Sequence, residues 1–191
     1  MGRFMNHKKW VVVMALIATA LILTHLPVSE ADAAASASDF QIEGSTLTKY
    51  RGSDERVTIP DTVEVVGESA FENNQKVQLV VVPKSVKRMD AYVFWGCDNL
   101  EEVVLGKGLT SVDEYAFSGC TGLKQITIPE NVQSIDAQAF AGCTNLTDIY
   151  IPDTVTSIAD DAFLNCDNVT IHADEGSVAE KFAQKLSLIH I

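Results

Sequence analysis

Four cysteines recur every 23 residues in this 191-residue chain, at Cys97, Cys120, Cys143 and Cys166. Thiols serve as nucleophiles, metal ligands and disulfide partners. A disulfide needs Cβ atoms about 3.8 Å apart, whereas side chains at equivalent positions of a repeat point the same way. The equal spacing also places the thiols in a row, and a zinc site needs ligands around one point. We therefore expect buried free thiols.

The other residues that could do chemistry form no recognisable site. Outside the amino-terminal segment the histidines are His172 and His190, and neither belongs to a nucleophile arrangement. The acidic pairs Glu101-Glu102, Asp160-Asp161 and Asp174-Glu175 lack the spaced oxygen ligands of a calcium loop. The sequence predicts no enzyme, no cofactor and no metal.

The cysteines are positioned by a repeat of 23 residues, which we count five times. Self-similarity at a fixed period of this length is typical of a solenoid. Phenylalanine recurs at Phe71, Phe94, Phe117, Phe140 and Phe163, and an aliphatic residue recurs at Val63, Val86, Leu109, Val132 and Val155.

Each repeat begins with a strand pattern. Val103 and Leu105 alternate with Glu102 and Val104, so one face of that strand should be buried. Equivalent segments are expected to stack as a parallel sheet with strands about 4.8 Å apart. Four of the strands end at a proline, which cannot donate to a ladder. That slot holds Pro60, Pro83, Pro129 and Pro152.

A short helical turn is predicted around each phenylalanine. In the three central repeats, an aspartate four residues earlier could cap a one-turn helix, and a glycine two residues later could end it in the left-handed conformation. These residues are Asp90, Asp113 and Asp136, then Gly96, Gly119 and Gly142. The predicted fold class is an α/β repeat solenoid with a parallel sheet, short helical turns and terminal caps.

Both ends of the solenoid are expected to be capped. Phe40 and Tyr50 lie on either side of a Glu43-Gly44-Ser45 turn, which indicates a hairpin. Ser177 and Glu180 form a capping box that opens a helix. A terminal coil would otherwise expose its core.

The chain divides into four parts. Residues 1–37 resemble a secretory signal peptide and its cleavage region, because basic residues precede the apolar run Trp10–Leu23 and small residues follow. A membrane anchor is the alternative, although the run is at the short limit for a bilayer span. Residues 38–56 form the capping hairpin, 57–172 hold the five repeats, and 173–191 supply the capping helix and a short strand. We expect export and no stable membrane insertion after cleavage.

Charge excludes one class of partner. Residues 38–191 carry 11 Lys and Arg against 24 Asp and Glu, a net charge of −13. Nucleic acid is therefore not an expected partner. No basic residue lies between Lys124 and Lys181. This acidic half could bind a basic partner, but a solvated acidic surface is the plainer interpretation.

The repeated sequence pattern closely resembles the BspA-type leucine-rich repeat of bacterial surface proteins. It is seen in the run from Ile128 to Ile135 followed by the Ala139 to Cys143 segment, and it extends over residues 57–172. The resemblance implies a secreted or surface-attached protein that binds other macromolecules, with adhesion to host proteins as one function. It names no single ligand.

Two surfaces are candidate binding sites. Outward positions of the stacked strands should align into a strip, although the preference of β-branched residues for sheets also explains part of it. Aromatic residues form a second cluster in the turns, and this cluster is the expected binding site if the ligand is a polysaccharide. The strip is Leu79, Val81, Glu102, Val104, Gln125, Thr127, Asp148 and Tyr150; the aromatic cluster is Tyr92, Trp95 and Tyr115. The expected partner of the strip is a protein, from a host or from the cell envelope. A structural or assembly role in the producer's own envelope is the alternative.

Overall fold

The computed structural model describes residues 35–189, which form a solenoid of short parallel strands. After a 3₁₀ turn (Ala37–Asp39), the elements are β1 (Phe40–Glu43), β2 (Thr46–Tyr50), β3 (Arg56–Thr58), β4 (Val65–Val66), β5 (Leu79–Val81), β6 (Arg88–Met89), β7 (Glu102–Val104), β8 (Ser111–Val112), β9 (Gln125–Thr127), β10 (Ser134–Ile135), β11 (Asp148–Tyr150), β12 (Ser157–Ile158), β13 (Thr170–His172) and α1 (Val178–Ile189). The predicted parallel-sheet solenoid is confirmed. We number coils 1 to 5 by their phenylalanines, from Phe71 to Phe163.

Each coil contributes one strand to each of two sheets. The first sheet contains the hydrogen-bonded ladders β3-β5-β7 and β9-β11-β13. The second contains β1-β2-β4-β6 and β8-β10-β12. The first sheet follows the predicted alternation, since the middle residue of its strands is buried and the flanking residues face outward. The buried residues are Val57, Val80, Val103, Ile126 and Ile149.

The segment around each phenylalanine is a run of single turns, in which bonds within the segment, such as that from Trp95 N to Tyr92 O at 3.1 Å, alternate with bonds to the next coil. The amide of Phe94 donates to the carbonyl of Ala116 at 2.8 Å, and that of Gly96 donates to Ser118 at 2.9 Å. In a helix these amides would bond within their own segment. Here alternate amides bond to the next coil, so this side of the solenoid is joined by backbone hydrogen bonds as the sheets are.

The predicted helix-capping role of the aspartates is wrong. The carboxylate of Asp90 accepts from Arg88 Nε, and that of Asp113 accepts from Ser111 Oγ, both at 2.6 Å. Asp90 and Asp113 therefore each bind the side chain two residues before them. The glycine prediction is confirmed, since Gly96, Gly119 and Gly142 have φ of +66°, +75° and +72°.

The phenylalanines stack as one column through the core. Consecutive ring centroids from Phe71 to Phe163 are 5.1–5.3 Å apart. Tyr50 continues the column at one end, 5.1 Å from Phe71, and Phe182 of α1 continues it at the other, 5.8 Å from Phe163. Both caps thus seal the solenoid with an aromatic ring.

The capping hairpin is also part of a coil. β1 pairs with β2 in antiparallel fashion, and β2 pairs in parallel with β4, with Leu47 opposite Val66. Because Tyr50 occupies the phenylalanine column, residues of the hairpin supply part of a coil before coil 1. Period counting missed this coil because it carries tyrosine, and because Tyr50 precedes Phe71 by 21 residues rather than 23.

The predicted carboxy-terminal helix is present as α1. The amide of Glu180 donates to Ser177 Oγ at 3.1 Å, and Glu180 Oε2 accepts from the amide of Gly176 at 2.7 Å. None of the helices in residues 35–189 is long and apolar enough to cross a membrane. Residues 1–34 of the predicted signal peptide and cleavage region lie outside the described residues, as do residues 190 and 191. Within residues 173–189 the structure contains α1 and no strand.

Candidate binding surface

The four thiols are free and buried, as their spacing predicts. Each Sγ donates to the carbonyl of the phenylalanine in the preceding coil, over 3.0–3.1 Å. Burial raises the pKa of Cys97 to about 12 and raises the pKa of Cys120 as well. Because the thiolate is the reactive form, Cys97 and Cys120 pack as small apolar groups and offer no nucleophile at neutral pH. Cys166 differs, since a side-chain hydrogen bond with Cys143 lowers its pKa.

The acidic pairs bind lysines or face solvent. Glu101 Oε2 lies 2.6 Å from Lys124 Nζ, and Asp160 Oδ1 lies 2.6 Å from Lys185 Nζ. In the part of the chain that the structure describes, no group of three His, Cys, Asp or Glu side chains could hold a metal ion.

The predicted strip lies on the outer face of the first sheet. Val81 is paired with Val104 on the neighbouring strand, and Tyr150 is paired with Thr127. The structure therefore brings the strip residues of β5 and β7 together, and likewise those of β9 and β11. Val104 and Tyr150 are 45% and 43% exposed. Glu102, Gln125 and Thr127 are exposed, while Leu79, Val81 and Asp148 are half-buried.

His172 belongs to this surface and was missed as a strip residue. Its ring stacks on Tyr150 with centroids 4.3 Å apart and an interplanar angle of 12°. Its Nε2 lies 2.7 Å from Asp148 Oδ1. That hydrogen bond and one from Thr147 lower the pKa of Asp148 below its usual value. The tyrosine ring is therefore held flat against β13 rather than free to rotate.

The aromatic cluster is only partly assembled. Tyr92 and Tyr115 stack with centroids 4.8 Å apart and an interplanar angle of 5°. Trp95 is 39% exposed, and within residues 35–189 its ring makes no stacking contact with either tyrosine. Both tyrosines have positive φ, +61° and +56°. The tyrosine faces are thus occupied by each other, and Trp95 stands apart.

Similarity to solved structures agrees with this architecture. A leucine-rich cell surface protein of Faecalibacterium prausnitzii aligns with 33% identity and a TM-score of 0.68, over 72% of this chain and 37% of its own. A Treponema pallidum leucine-rich repeat protein aligns with 27% identity and a TM-score of 0.69, over 72% of this chain and 70% of its own. The pneumococcal vaccine antigen PcpA shares the fold, with 19% identity and a TM-score of 0.62, over 78% of this chain and 39% of its own.

This chain therefore spans little more than a third of the Faecalibacterium protein. No curated protein matches it. The sequence pattern described as the BspA type leucine rich repeat region matches residues 45–170 in six copies. Six copies correct the count of five, because the hairpin strand β2 begins a further coil. With this match covering most of its length, the chain belongs to the BspA-type leucine-rich repeat family.

Proposed function

We propose that this protein binds another protein through the strip on the first sheet, and that it does so as a secreted or cell-surface protein. The Faecalibacterium protein of similar fold is described as a cell surface protein, which supports the location. A solenoid presents a continuous surface built from several repeats, and such surfaces are suited to large partners.

The observation that carries the proposal is the exposure of two large apolar residues within the strip. Val104 and Tyr150 keep 45% and 43% of their surface exposed in the folded protein, so covering that apolar surface with a partner would contribute binding free energy. Tyrosine is enriched among residues that dominate binding energy. The stack on His172 reduces the ordering cost that Tyr150 would meet on binding, because its ring is already positioned.

Polysaccharide binding at the aromatic cluster has weaker support. Sugars bind to exposed aromatic faces, and the facing sides of the Tyr92 and Tyr115 rings are covered by each other. Trp95 alone presents an exposed indole. We therefore assign the partner surface to the strip.

The repeat supplies a variant that tests this assignment. In the strip columns, coils 1 and 4 carry Thr58 and Thr127 at the positions of Val81, Val104 and Tyr150. The triple variant Val81→Thr, Val104→Thr, Tyr150→Thr removes apolar area with a residue that the same strands already use. The matched control is Trp95→Ser with Leu164→Ser, which places in coils 2 and 5 the residue that coil 3 holds in that slot.

The experiment is affinity capture on the immobilised protein, comparing host extracellular proteins with the producer's envelope fraction at two salt concentrations. We expect a host protein that the native chain and the control variant retain and the threonine variant loses. Retention of envelope material alone would favour the structural role. Equal retention by the threonine variant, with an unchanged circular dichroism spectrum, would exclude the strip.

A further inference from the structure

A groove of about 530 Å³ crosses the turns that lead from the first sheet to the second in coils 1 to 4. The first turn position of each coil forms a column along it. That column carries carboxylates in coils 1, 4 and 5 and lysines in coils 2 and 3. Its members are Asp61, Lys84, Lys107, Glu130 and Asp153. Lys87 adds a third ammonium group to the lining. A positive site therefore interrupts an acidic surface.

Among the described residues, these three lysines have no carboxylate partner, unlike Arg88, Lys124 and Lys185. Lys124 and Lys185 each lie 2.6 Å from a carboxylate oxygen. Across residues 35–189 no carboxylate lies within 4.0 Å of the ammonium of Lys84, Lys87 or Lys107. Asp61 is the carboxylate in the groove lining, so the lining keeps two excess positive charges.

The groove also contains an unsatisfied hydroxyl. Ser85 lines it, and Ser85 Oγ is buried without a hydrogen-bond partner among the described residues. Such a group destabilises the folded state and calls for a partner.

Glycine and asparagine fix the spacing of the two lysine turns. A Cβ on Gly108 would lie 2.3 Å from the carbonyl oxygen of Lys84, so the turn of coil 3 lies directly against that of coil 2. Asn131 Nδ2 donates to the carbonyl of Lys107 at 2.6 Å, which joins the turn of coil 4 to that of coil 3. The backbone that carries Lys84 and Lys107 is therefore rigid.

We propose that this groove binds a sulfate or phosphate group. A free sulfate or hydrogen phosphate ion carries two negative charges, which match the two excess positive charges, and its oxygens can accept from the ammonium groups and from Ser85 Oγ. On an acidic saccharide, two neighbouring sulfate esters together supply the same charge. The group can arrive as a free ion or on an acidic saccharide. The site lies on the turns and is independent of binding at the strip.

The test uses the double variant Lys84→Asp with Lys107→Glu. Both replacements already occur at this turn position, since coils 1 and 5 carry aspartate there and coil 4 carries glutamate. The control is Lys76→Glu with Lys124→Glu, which changes the net charge equally at exposed positions outside the groove. Sodium sulfate, sodium phosphate and a heparin hexasaccharide are titrated into each protein. Backbone amide shifts in nuclear magnetic resonance spectra report binding and its location.

We expect shifts at residues 84–87 and 107–108 in the native and control proteins, and at least about tenfold weaker affinity in the groove variant. Shifts with the inorganic ions identify a free ion as sufficient, and shifts with the hexasaccharide alone identify a polymer-borne group. Ser85→Ala should weaken binding severalfold without lowering the melting temperature, because its hydroxyl has no protein partner. No shift with any probe, or equal weakening in the control variant, overturns the proposal.

Discussion

Replacing Phe117 with alanine should be among the most destabilising single changes in the protein. Its side chain is fully buried, and its ring lies 5.3 Å from Phe94 and 5.2 Å from Phe140. A buried Phe→Ala change typically costs about 3–5 kcal/mol, and aromatic pairs contribute about 0.5–1.5 kcal/mol each beyond area burial. Since the column cannot collapse without breaking backbone bonds between coils, we expect the upper part of that range, about 4–5 kcal/mol.

For a domain of this size, 1 kcal/mol corresponds to about 2–4 °C in melting temperature, so the variant should melt about 8–20 °C lower. Thermal unfolding followed by circular dichroism measures this. The control is Leu164→Ala, whose side chain is 49% exposed next to the same column and should change the melting temperature little. A drop for Phe117→Ala no larger than that of the control would refute the continuous aromatic core.

Three further predictions follow from the same geometry. Cys97 and Cys120 should resist alkylation at pH 8 in the folded protein and react after unfolding, because burial raises the pKa of both thiols, that of Cys97 to about 12; peptide mass mapping locates the adducts, and rapid labelling of either thiol in the folded protein would contradict this burial. Gly106→Pro should destabilise by about 1–3 kcal/mol, even though four other coils carry proline in that slot, because a Cβ there would lie 2.3 Å from the carbonyl oxygen of Pro83; a raised unfolding midpoint in urea would contradict it. The hydrogen bond from His172 holds the pKa of Asp148 below its ordinary value. The ionised carboxylate therefore stabilises the folded state at pH above the ordinary pKa, and this stabilisation is lost as the pH falls through the lowered pKa. Asp148→Asn should remove this acid-dependent part of the unfolding curve, and an unchanged pH dependence would be the contrary result.

Much of the solenoid could be predicted from sequence because its core positions repeat at a strict interval. The buried residues of β3, β5, β7, β9 and β11 all fall on the 23-residue step. His172 escaped because the last step is one residue shorter, with Ile171 paired to Ile149. A shift of one residue exchanges the inner and outer faces of a strand, so strict extrapolation would have turned His172 inward.

The second sheet and the turns were harder to predict for a different reason. Strands of two residues, such as β6 and β8, are too short to show an alternation. The turn conformation is set by hydrogen bonds between coils rather than by local preference. Tyr92 and Tyr115 adopt positive φ, which a sequence pattern would assign to glycine or asparagine. The amides of both tyrosines donate to carbonyl groups of the next coil, and these bonds hold the unusual conformation.

The strip itself was predictable as a surface, since outward positions follow directly from inward ones. The exposure of its individual residues could not be predicted, because exposure depends on the size of neighbouring side chains in adjacent coils. Val81 is half-buried while Val104 is exposed, although both occupy the same column.

The most direct test is the dissociation constant of a captured partner protein, measured for the native chain and for the two variants. Loss of apolar anchors worth about 2 kcal/mol corresponds to roughly 30-fold weaker binding. We expect at least this loss for Val81→Thr, Val104→Thr, Tyr150→Thr and a change of less than about threefold for Trp95→Ser with Leu164→Ser. The reverse pattern, with affinity lost in the serine variant and kept in the threonine variant, would place the binding surface on the turns and contradict the assignment.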